Sequence, residues 1–338
     1  MRSRRLLTAI GTLVLAASAL HSAPTRAADC GKLDRVTIAE MTWLSGSINA
    51  HIFRRILEEG YGCNVEIVPG DTVPTGTSML TKGEPMIAPE FWTTSAAEVW
   101  DKLQASGNAY KASEIFTDGG NEGWWIPDYT AKAHPDLKTV KDIVKYKDLF
   151  TEAAAGGKAR LYNCPPGWTC ENTNKHLFEA LGLGDKGFQL FSPGSGANLK
   201  AVIARKVTRK EPILTYYWGP TAVIGRYNLV KLDIPAPYDE ETFKCLASSD
   251  CPNPKLSAWK SSTVAVVAVP RIKKEAPDVA DFLGKVQMPN STINKVLAWT
   301  DQGSAEPAAG ADYFLKNFRD VWTNWVPSDA AQRIDAAL

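Results

Sequence analysis

Tryptophan is the residue whose positions in this chain suggest chemistry, because 11 Trp occur in 338 residues and several follow predicted strands. Ring faces of Trp attract a quaternary ammonium group, which carries a positive charge but no N–H that a carboxylate could accept. In open α/β sheets, ligands bind where the strands end. The side chains at such positions therefore predict an aromatic box, and they are Trp43, Trp92, Trp168 and Trp218, with Trp124 and Trp125 close to a predicted crossover.

An aromatic box needs a second anchor to hold its ligand tightly. One desolvated ring contributes about 1–2 kcal/mol, so three or four rings supply about 3–8 kcal/mol, whereas micromolar affinity requires about 8 kcal/mol. The segment Cys164-Pro-Pro-Gly-Trp168-Thr-Cys170 offers that anchor, because it runs directly into a predicted helix. N–H groups at a helix N-terminus bind carboxylates. The backbone N–H groups of Thr169 and Cys170, beside Trp168, therefore suit a zwitterion.

The elements that would position these residues alternate between strand and helix. Strands are predicted at 35–39, 64–68, 86–91, 159–164, 188–191, 212–218 and 262–270. Helices are predicted from Ser47, as N-cap, to Gly60, around 78–81, over 95–105 and 171–181, and from Asn198 onwards. This rhythm predicts an α/β fold in which sheets are covered by helices.

Two polar segments divide the chain. The Gly- and Asp-rich segment 117–123 is predicted to be a crossover, and the chain turns polar again over 252–260. One domain interrupted by another would produce this pattern, so we predict lobe 1 from residues 28–116 and 262–338 and lobe 2 from residues 117–261. Core packing is the expectation for the Trp in predicted helical runs, which are Trp100, Trp259, Trp299, Trp322 and Trp325.

Residues 1–27 have the pattern of a secretory signal peptide. Arg2, Arg4 and Arg5 precede the apolar stretch 6–20, which is too short to cross a bilayer, and small residues follow over 23–28. Cleavage after Ala27 removes four Arg and leaves 34 basic against 37 acidic side chains, a formal charge of −3. Such a protein has no general attraction for nucleic acid or anionic membranes. We therefore expect a soluble periplasmic protein without a nucleic-acid partner.

Six cysteines in an exported chain predict disulfides. Sequence alone allows fifteen pairings. The simplest one closes two short loops, Cys164 with Cys170 and Cys245 with Cys251, and leaves Cys30 for Cys63. Zinc is the alternative, but neither close pair has CxxC spacing and the His residues are scattered. We expect neither a metal site nor a cofactor.

The sequence contains no enzyme motif in a context that would support catalysis. Gly182-Leu-Gly184-Asp-Lys-Gly187 matches GxGxxG, but it follows a predicted helix and precedes a predicted strand, so it predicts a helix end and a turn. The P-loop, HExxH and GxSxG patterns do not occur. We expect a binding protein, with two rival hypotheses: a secreted enzyme acting on a trimethylammonium compound, and a structural protein whose Trp residues fill the core.

One segment resembles a known family. Leu161-Tyr-Asn-Cys-Pro-Pro-Gly-Trp-Thr-Cys170 is similar to the cysteine-bridged Trp loop of the glycine betaine/proline betaine substrate-binding proteins of ABC importers. Thr215-Tyr-Tyr-Trp-Gly-Pro220 resembles that family's second-lobe Trp segment, and Glu90-Phe-Trp92 falls where its first-lobe Trp lies. The resemblance covers most of the mature chain. It implies a two-lobe periplasmic binding protein fold of type II, each lobe a mainly parallel sheet flanked by helices, with two crossovers as hinge.

The resemblance also implies a ligand and a partner. Trp92, Trp168 and Trp218 would box the ammonium of glycine betaine or proline betaine, while the N–H groups of Thr169 and Cys170 would hold its carboxylate. Trp125 and Trp43 would add rings, as in relatives for choline or trimethylamine N-oxide. Choline, carnitine and trimethylamine N-oxide are therefore alternative ligands. The protein would act as a monomer that docks on a membrane permease.

Overall fold

A computed structural model describes residues 28–338, so the signal peptide predicted over 1–27 lies outside the described residues. The strands are β1 (Val36–Met41), β2 (Val65–Gly70), β3 (Ile87–Trp92), β4 (Tyr110–Glu114), β5 (Asn121–Pro127), β6 (Thr151–Glu152), β7 (Lys158–Tyr162), β8 (Phe188–Phe191), β9 (Leu214–Gly219), β10 (Leu229–Leu232) and β11 (Val264–Ala268).

Helices follow most of these strands. They are α1 (Leu44–Arg55), α2 (Thr72–Lys82), α3 (Ala97–Ser106), α4 (Asp128–Ala133), α5 (Cys170–Ala180), α6 (Gly196–Thr208), α7 (Ala222–Arg226), α8 (Glu240–Ala247), α9 (Pro270–Glu275), α10 (Pro277–Lys285), α11 (Asn290–Gln302), α12 (Pro307–Asn317), α13 (Arg319–Trp322) and α14 (Ser328–Ala337). A π-helical turn, Ile56–Gly60, extends α1, and short 3-10 turns occupy Asp142–Val144, Lys147–Phe150 and Ala153–Ala155. Within the described residues, no helix is both long enough and apolar enough to span a membrane.

The first sheet has the strand order β2-β1-β3-β11-β4. β1 pairs in parallel with β2 and β3, and β11 pairs antiparallel with β3 and β4. All side chains of β3 and β11 are buried, which is why both strands are nearly continuous apolar runs in the sequence. We call the body around this sheet lobe 1.

The second sheet has the order β10-β5-β9-β7-β6, with β8 also paired to β7. β7 is parallel to β8 and β9, whereas β5 is antiparallel to β9 and β10. We call the body around this sheet lobe 2. The predicted α/β architecture of two sheets flanked by helices is confirmed, and each sheet is mixed, with both parallel and antiparallel pairs. The parallel pairs come from βαβ units. The strands next to the two crossings, β5 and β11, make only antiparallel pairs.

The chain passes between the sheets twice, from β4 to β5 and from β10 to β11. The two passages are bonded to each other, because Gly120 N donates to Ser262 O at 2.8 Å and Ser262 N donates to Gly120 O at 2.7 Å. A Cβ on Gly120 would lie 2.1 Å from the Trp92 ring, so only glycine allows that ring to approach the crossing. The residue limits predicted for the two lobes stay a prediction.

Local details differ from the sequence-based expectations. Helix α1 begins at Leu44 rather than Ser47, because Trp43 is the extended N-cap residue and the buried Ser47 hydroxyl donates to Glu40 instead. Trp322 and Trp325 are buried in the core as predicted. The prediction was wrong for Trp299, which is 40% exposed.

The predictions for Trp100 and Trp259, which were both placed in helical runs, have different outcomes. Trp100 lies in α3 and is half-buried, whereas Trp259 is half-buried in an irregular segment rather than a helix. The exposure of Trp299 has a simple physical reason. Its ring stacks on Tyr313 of α12 with a centroid distance of 4.4 Å, so a surface neighbour covers one ring face without burying the residue.

The disulfides are Cys30–Cys63, Cys164–Cys170 and Cys245–Cys251. This is the pairing that was predicted as the simplest one, because it closes two short loops. The GxGxxG match falls in a turn between α5 and β8, as predicted from its context. No group of three or more His, Cys, Asp or Glu within residues 28–338 is arranged to hold a metal ion.

Candidate ligand-binding site

A small cavity lies between the lobes and has aromatic walls. It contains about 290 Å³ of space between its walls, part of it open to solvent. Lobe 1 supplies residues that follow β1 and β2 or end β3, and lobe 2 supplies residues from β5, β9 and the loop after β7. The lining is Trp43, Thr72, Trp92, Glu122, Trp168, Thr169, Cys170, Tyr216 and Trp218.

The Trp rings of the cavity meet edge to face. The centroids of Trp43 and Trp168 lie 5.5 Å apart with an interplanar angle of 79°, and those of Trp168 and Trp218 lie 4.8 Å apart at 87°. Trp168 Nε1 also donates to Thr42 Oγ1 at 3.0 Å, which joins a lobe 2 ring to lobe 1. Perpendicular rings drawn from both lobes can enclose a small cation with their faces.

A buried carboxylate fixes the lobe 1 rings. Glu90 Oε1 accepts from Trp43 Nε1 at 2.6 Å and from Trp92 Nε1 at 3.2 Å. Ser45 Oγ and Asn49 Nδ2 donate to the same carboxylate at 2.9 and 2.8 Å. Burial raises the pKa of Glu90, and these donors oppose that effect. Because both indole N–H groups point at one carboxylate, the two rings have a fixed orientation.

The cysteine-bridged loop presents backbone donors. The Cys164–Cys170 disulfide closes the loop, and Gly167 adopts φ +85° within it. Helix α5 then begins at Cys170 without a side-chain cap. No acceptor among the described residues takes the N–H groups of Thr169 and Cys170, while the following N–H, of Glu171, is bonded to Trp168 O. Two backbone donors at the positive end of a helix therefore border the aromatic cavity.

Glu122 also lines the cavity and was not among the predicted site residues. Its side chain accepts hydrogen bonds from Tyr216 Oη at 2.7 Å, from Ser262 Oγ at 2.8 Å and from Ser95 Oγ. Burial raises the pKa of Tyr216, and the negative charge of Glu122 adds to that effect. The sequence of residues 121–127 shows no alternation of polar and apolar residues, so the pairing of β5 with β9 was needed to place Glu122 on the cavity side of the sheet.

The structure does not bring Trp125 to the cavity, so the expectation that it joins the box is corrected. Trp125 and Glu122 differ by an odd number of positions on β5, and they therefore point to opposite faces of the sheet. Trp125 Nε1 donates to Tyr217 O at 2.9 Å, and its ring lines a separate cavity with Asn121 and Pro220. Trp124 is fully buried and donates to Asn174 Oδ1 at 2.8 Å.

The remaining predicted site residues meet in one place. Trp43, Trp92, Trp168, Trp218, Thr169 and Cys170 all line the same small cavity. A wider groove between the lobes adjoins it, shares three of the Trp rings and encloses about 1220 Å³ of space that includes open solvent. The arrangement therefore combines ring faces, two backbone donors and one carboxylate at the end of an open groove.

Comparison with known proteins matches residues 34–317 to the OpuAC family, described as the substrate-binding domain of ABC-type glycine betaine transport systems. The glycine betaine/proline betaine-binding periplasmic protein of Escherichia coli K12 is 25% identical over 336 residues, covering 94% of this chain and 95% of that protein. The glycine betaine-binding periplasmic protein OusX of Dickeya dadantii is 28% identical over 219 residues, covering 61% of this chain and 63% of that protein.

Solved structures share the fold. The glycine betaine/L-proline-binding protein ProX of Borrelia burgdorferi has a TM-score of 0.70 at 16% identity, covering 89% of this chain and all of that one. Lactococcal OpuAC, closed on glycine betaine, has a TM-score of 0.67 at 15% identity, covering 87% of this chain and all of that one. Since the family match spans most of the sequence, this chain belongs to the family of substrate-binding domains of ABC-type glycine betaine transport systems.

Proposed function

We propose that this protein is a periplasmic receptor that captures glycine betaine or proline betaine and delivers it to the membrane permease of an ABC importer. Export through the N-terminal signal peptide would bring it to that compartment. The observation that carries the proposal is the convergence on one inter-lobe cavity of four Trp rings and two helix N-terminal N–H groups that have no acceptor among residues 28–338.

The rings account for the quaternary ammonium pole. Trp43 and Trp92 come from lobe 1, while Trp168 and Trp218 come from lobe 2. A trimethylammonium group has no N–H, so ring faces can replace its water without leaving a donor unsatisfied. Because the two lobes each contribute rings, the ligand gains its full set of contacts only when both lobes close on it.

The bridged loop accounts for the carboxylate pole. The N–H groups of Thr169 and Cys170 border the same cavity as Trp168. A carboxylate there would accept two backbone hydrogen bonds at the positive end of α5. Rings and donors side by side match the two poles of glycine betaine, whereas choline would leave both N–H groups to water.

Calorimetric titration of the purified mature protein with glycine betaine tests the proposal. We expect saturable one-to-one binding at micromolar or tighter affinity. The double variant Trp168→Ala, Trp218→Ala should lose about 2–4 kcal/mol of binding free energy, since each ring contributes about 1–2 kcal/mol. The matched control is Trp299→Ala, which removes an exposed ring outside the cavity and should leave the affinity unchanged.

Alternative functions give different results. Equal affinity of the double variant and the wild-type protein would contradict the proposed box. Tighter binding of choline or trimethylamine N-oxide than of glycine betaine would reassign the ligand within the same receptor class. Product formed from any of these compounds would indicate an enzyme, and absence of any ligand effect on thermal stability would favour a structural role.

A further inference from the structure

We propose that Glu122 is the counter-ion of the bound quaternary ammonium group and thereby sets the preference of the site among ligands of different charge. This inference rests on the proposed function and deepens it. It adds an electrostatic partner to a cation site otherwise made of ring faces.

The strand register brings Glu122 to the aromatic box. Glu122 of β5 lies directly opposite Trp218 of β9 in the antiparallel pair. Side chains that face each other in such a pair lie on the same face of the sheet with Cβ atoms about 5 Å apart. Both side chains line the small cavity, and Glu122 is only 2% exposed. A ligand cation between the rings would therefore lie beside this carboxylate.

The charge of Glu122 is solvated by the protein but not neutralised by it. Its hydrogen-bond donors are three hydroxyl groups, of Ser95, Ser262 and Tyr216. Within residues 28–338 it makes no ion pair, and the cavity lining contains no Lys, Arg or His. Hydroxyl groups lower the cost of burying a charge without removing the charge. The positive pole of the ligand is the counter-ion that the site still lacks.

The nearest basic neighbour along the sheet does not fill that role. Lys231 of β10 faces Trp125 of β5 in the register, so it lies on the opposite side of the sheet from Glu122. Its Nζ donates to Asn121 Oδ1 at 2.6 Å. Burial lowers the pKa of Lys231, while the charges of Glu122 and Asp233 oppose that effect.

The lobes must be together for this carboxylate to be fully hydrogen-bonded. Ser95 precedes α3 in lobe 1, Ser262 lies in the second crossing, and Tyr216 belongs to lobe 2. An open form would separate these donors and let water reach Glu122. Closure therefore creates a dry, negatively charged wall at the moment when the ligand is enclosed, and charge–charge attraction is strongest in such a low-dielectric site.

Ligand selectivity follows from this placement. Glu122 attracts the ammonium of every candidate ligand but repels a ligand carboxylate. The charge of Glu122 therefore favours choline, which is a cation, more than it favours glycine betaine, which is a zwitterion. The N–H groups of Thr169 and Cys170 act in the opposite direction, so the balance between the two features sets the ranking of ligands.

Titration of the full-length mature protein and of Glu122→Gln with glycine betaine and with choline tests the proposal. Glutamine keeps the size and one acceptor oxygen but removes the charge. We expect the affinity for glycine betaine to fall about tenfold or more, equivalent to about 1.4 kcal/mol. The affinity for choline should fall further, so the ratio of the two affinities shifts towards glycine betaine. Weak choline binding is measured by competition against glycine betaine.

Two further variants separate charge from structure. Glu122→Asp keeps the charge and should retain more affinity than Glu122→Gln. Glu98→Gln removes the same charge from an exposed site on α3 and should bind both ligands as the wild-type protein does. Thermal unfolding of each variant confirms that it is folded.

The outcomes distinguish this inference from the proposed function. Wild-type protein that binds neither ligand would overturn both. Wild-type binding with a less than threefold change in Glu122→Gln would overturn only the counter-ion role. Equal losses for glycine betaine and choline would also overturn it, because a purely structural role lowers both affinities by the same factor.

Discussion

At the scale of single residues, two buried carboxylates lie at the proposed cation site in different positions. Glu90 lies behind the lobe 1 rings and accepts from both indole N–H groups. Glu122 lies in the cavity wall and faces the ligand space. A carboxylate that accepts from an indole N–H also increases the negative charge on the ring face, which strengthens cation–π attraction. Orientation of the rings and local charge therefore come from different side chains.

Glu90 predicts a pH dependence of stability and binding. Burial raises the pKa of Glu90 above its ordinary value of 4.5. A raised folded-state pKa means that the folded protein holds this proton more tightly than the unfolded chain does. The contribution of Glu90 to the unfolding free energy therefore increases as the pH falls through the raised pKa towards 4.5, and it is lowest above the raised pKa.

A cation in the box favours charged Glu90, so ligand binding should release a proton at pH values near and below the raised pKa of Glu90. The affinity for glycine betaine should then decrease as the solution is acidified through the raised pKa of Glu90. Calorimetry in two buffers of different ionisation enthalpy measures the released proton. Glu90→Gln should lose the part of the pH dependence that Glu90 causes, and an unchanged profile in that variant would contradict the prediction.

At the scale of secondary-structure elements, the loop between β7 and α5 combines a ring with two backbone donors. The Cys164–Cys170 disulfide ties the start of this loop to the first residue of the helix. Trp168, Thr169 and Cys170 are therefore held at fixed distances from each other. On the proposed function, this short covalent constraint positions the ligand contacts as well as stabilising the folded state.

Removing this disulfide should affect binding as well as stability. Closing a loop of this length contributes about 2 kcal/mol to stability on the chain-entropy model, so Cys164→Ser with Cys170→Ser should lower the unfolding free energy by about that amount. The affinity for glycine betaine should also decrease, because the freed loop must be ordered when the ligand binds. Denaturant unfolding and calorimetry measure the two effects.

The chain contains a matched control for this prediction. Cys245–Cys251 has the same sequence separation of 6 residues and lies at the end of α8, outside the cavity lining. Cys245→Ser with Cys251→Ser should cost similar stability but leave the affinity unchanged. Equal affinity losses in the two double variants would mean that general destabilisation, rather than the bridged loop, weakens binding.

At the scale of the whole molecule, an ion-pair cluster joins the two lobes beside the groove. Asp301 of α11 pairs with Lys200 of α6 and with Arg226 of α7, and its side chain is 5% exposed. Burial and the positive charge of Arg226 lower the pKa of Lys200. Since α6 and α7 belong to the lobe 2 region and α11 to the lobe 1 region, these contacts exist only while the lobes are close together.

Replacing Asp301 should therefore weaken ligand binding, although Asp301 does not line the small cavity. Asp301→Asn should reduce the affinity for glycine betaine about threefold to tenfold, a range set by partly exposed ion pairs. Faster ligand dissociation should account for most of the loss, because the closed form is the one destabilised. Stopped-flow measurement of ligand release at low and high salt tests this.

A pair within lobe 1 provides the comparison. Lys111 and Glu114 form an exposed ion pair on β4. Glu114→Gln removes the same charge and should release ligand at the wild-type rate. An unchanged dissociation rate in Asp301→Asn would show that the cluster does not hold the closed form.

The sequence by itself determined the features that are encoded locally. The bridged loop was predicted because its cysteines, Trp168 and the start of α5 are neighbours along the chain. Residue patterns likewise predicted seven of the eleven strands within residues 28–338, because burial of a strand imposes a pattern on consecutive residues. The family followed from the same loop, together with the Trp segments of β3 and β9.

Only the tertiary structure decided which side chains share a cavity. Residues 121–127 carry a Glu and two Trp, and their pairing with β9 and β10 sends Glu122 into the box and Trp125 to the opposite face. Glu90 could not be recognised as the partner of two rings, because its donors come from 41 to 47 positions earlier as well as from Trp92. The physical reason is that strand pairing and lobe contact depend on residues far apart in sequence, and no local pattern records them.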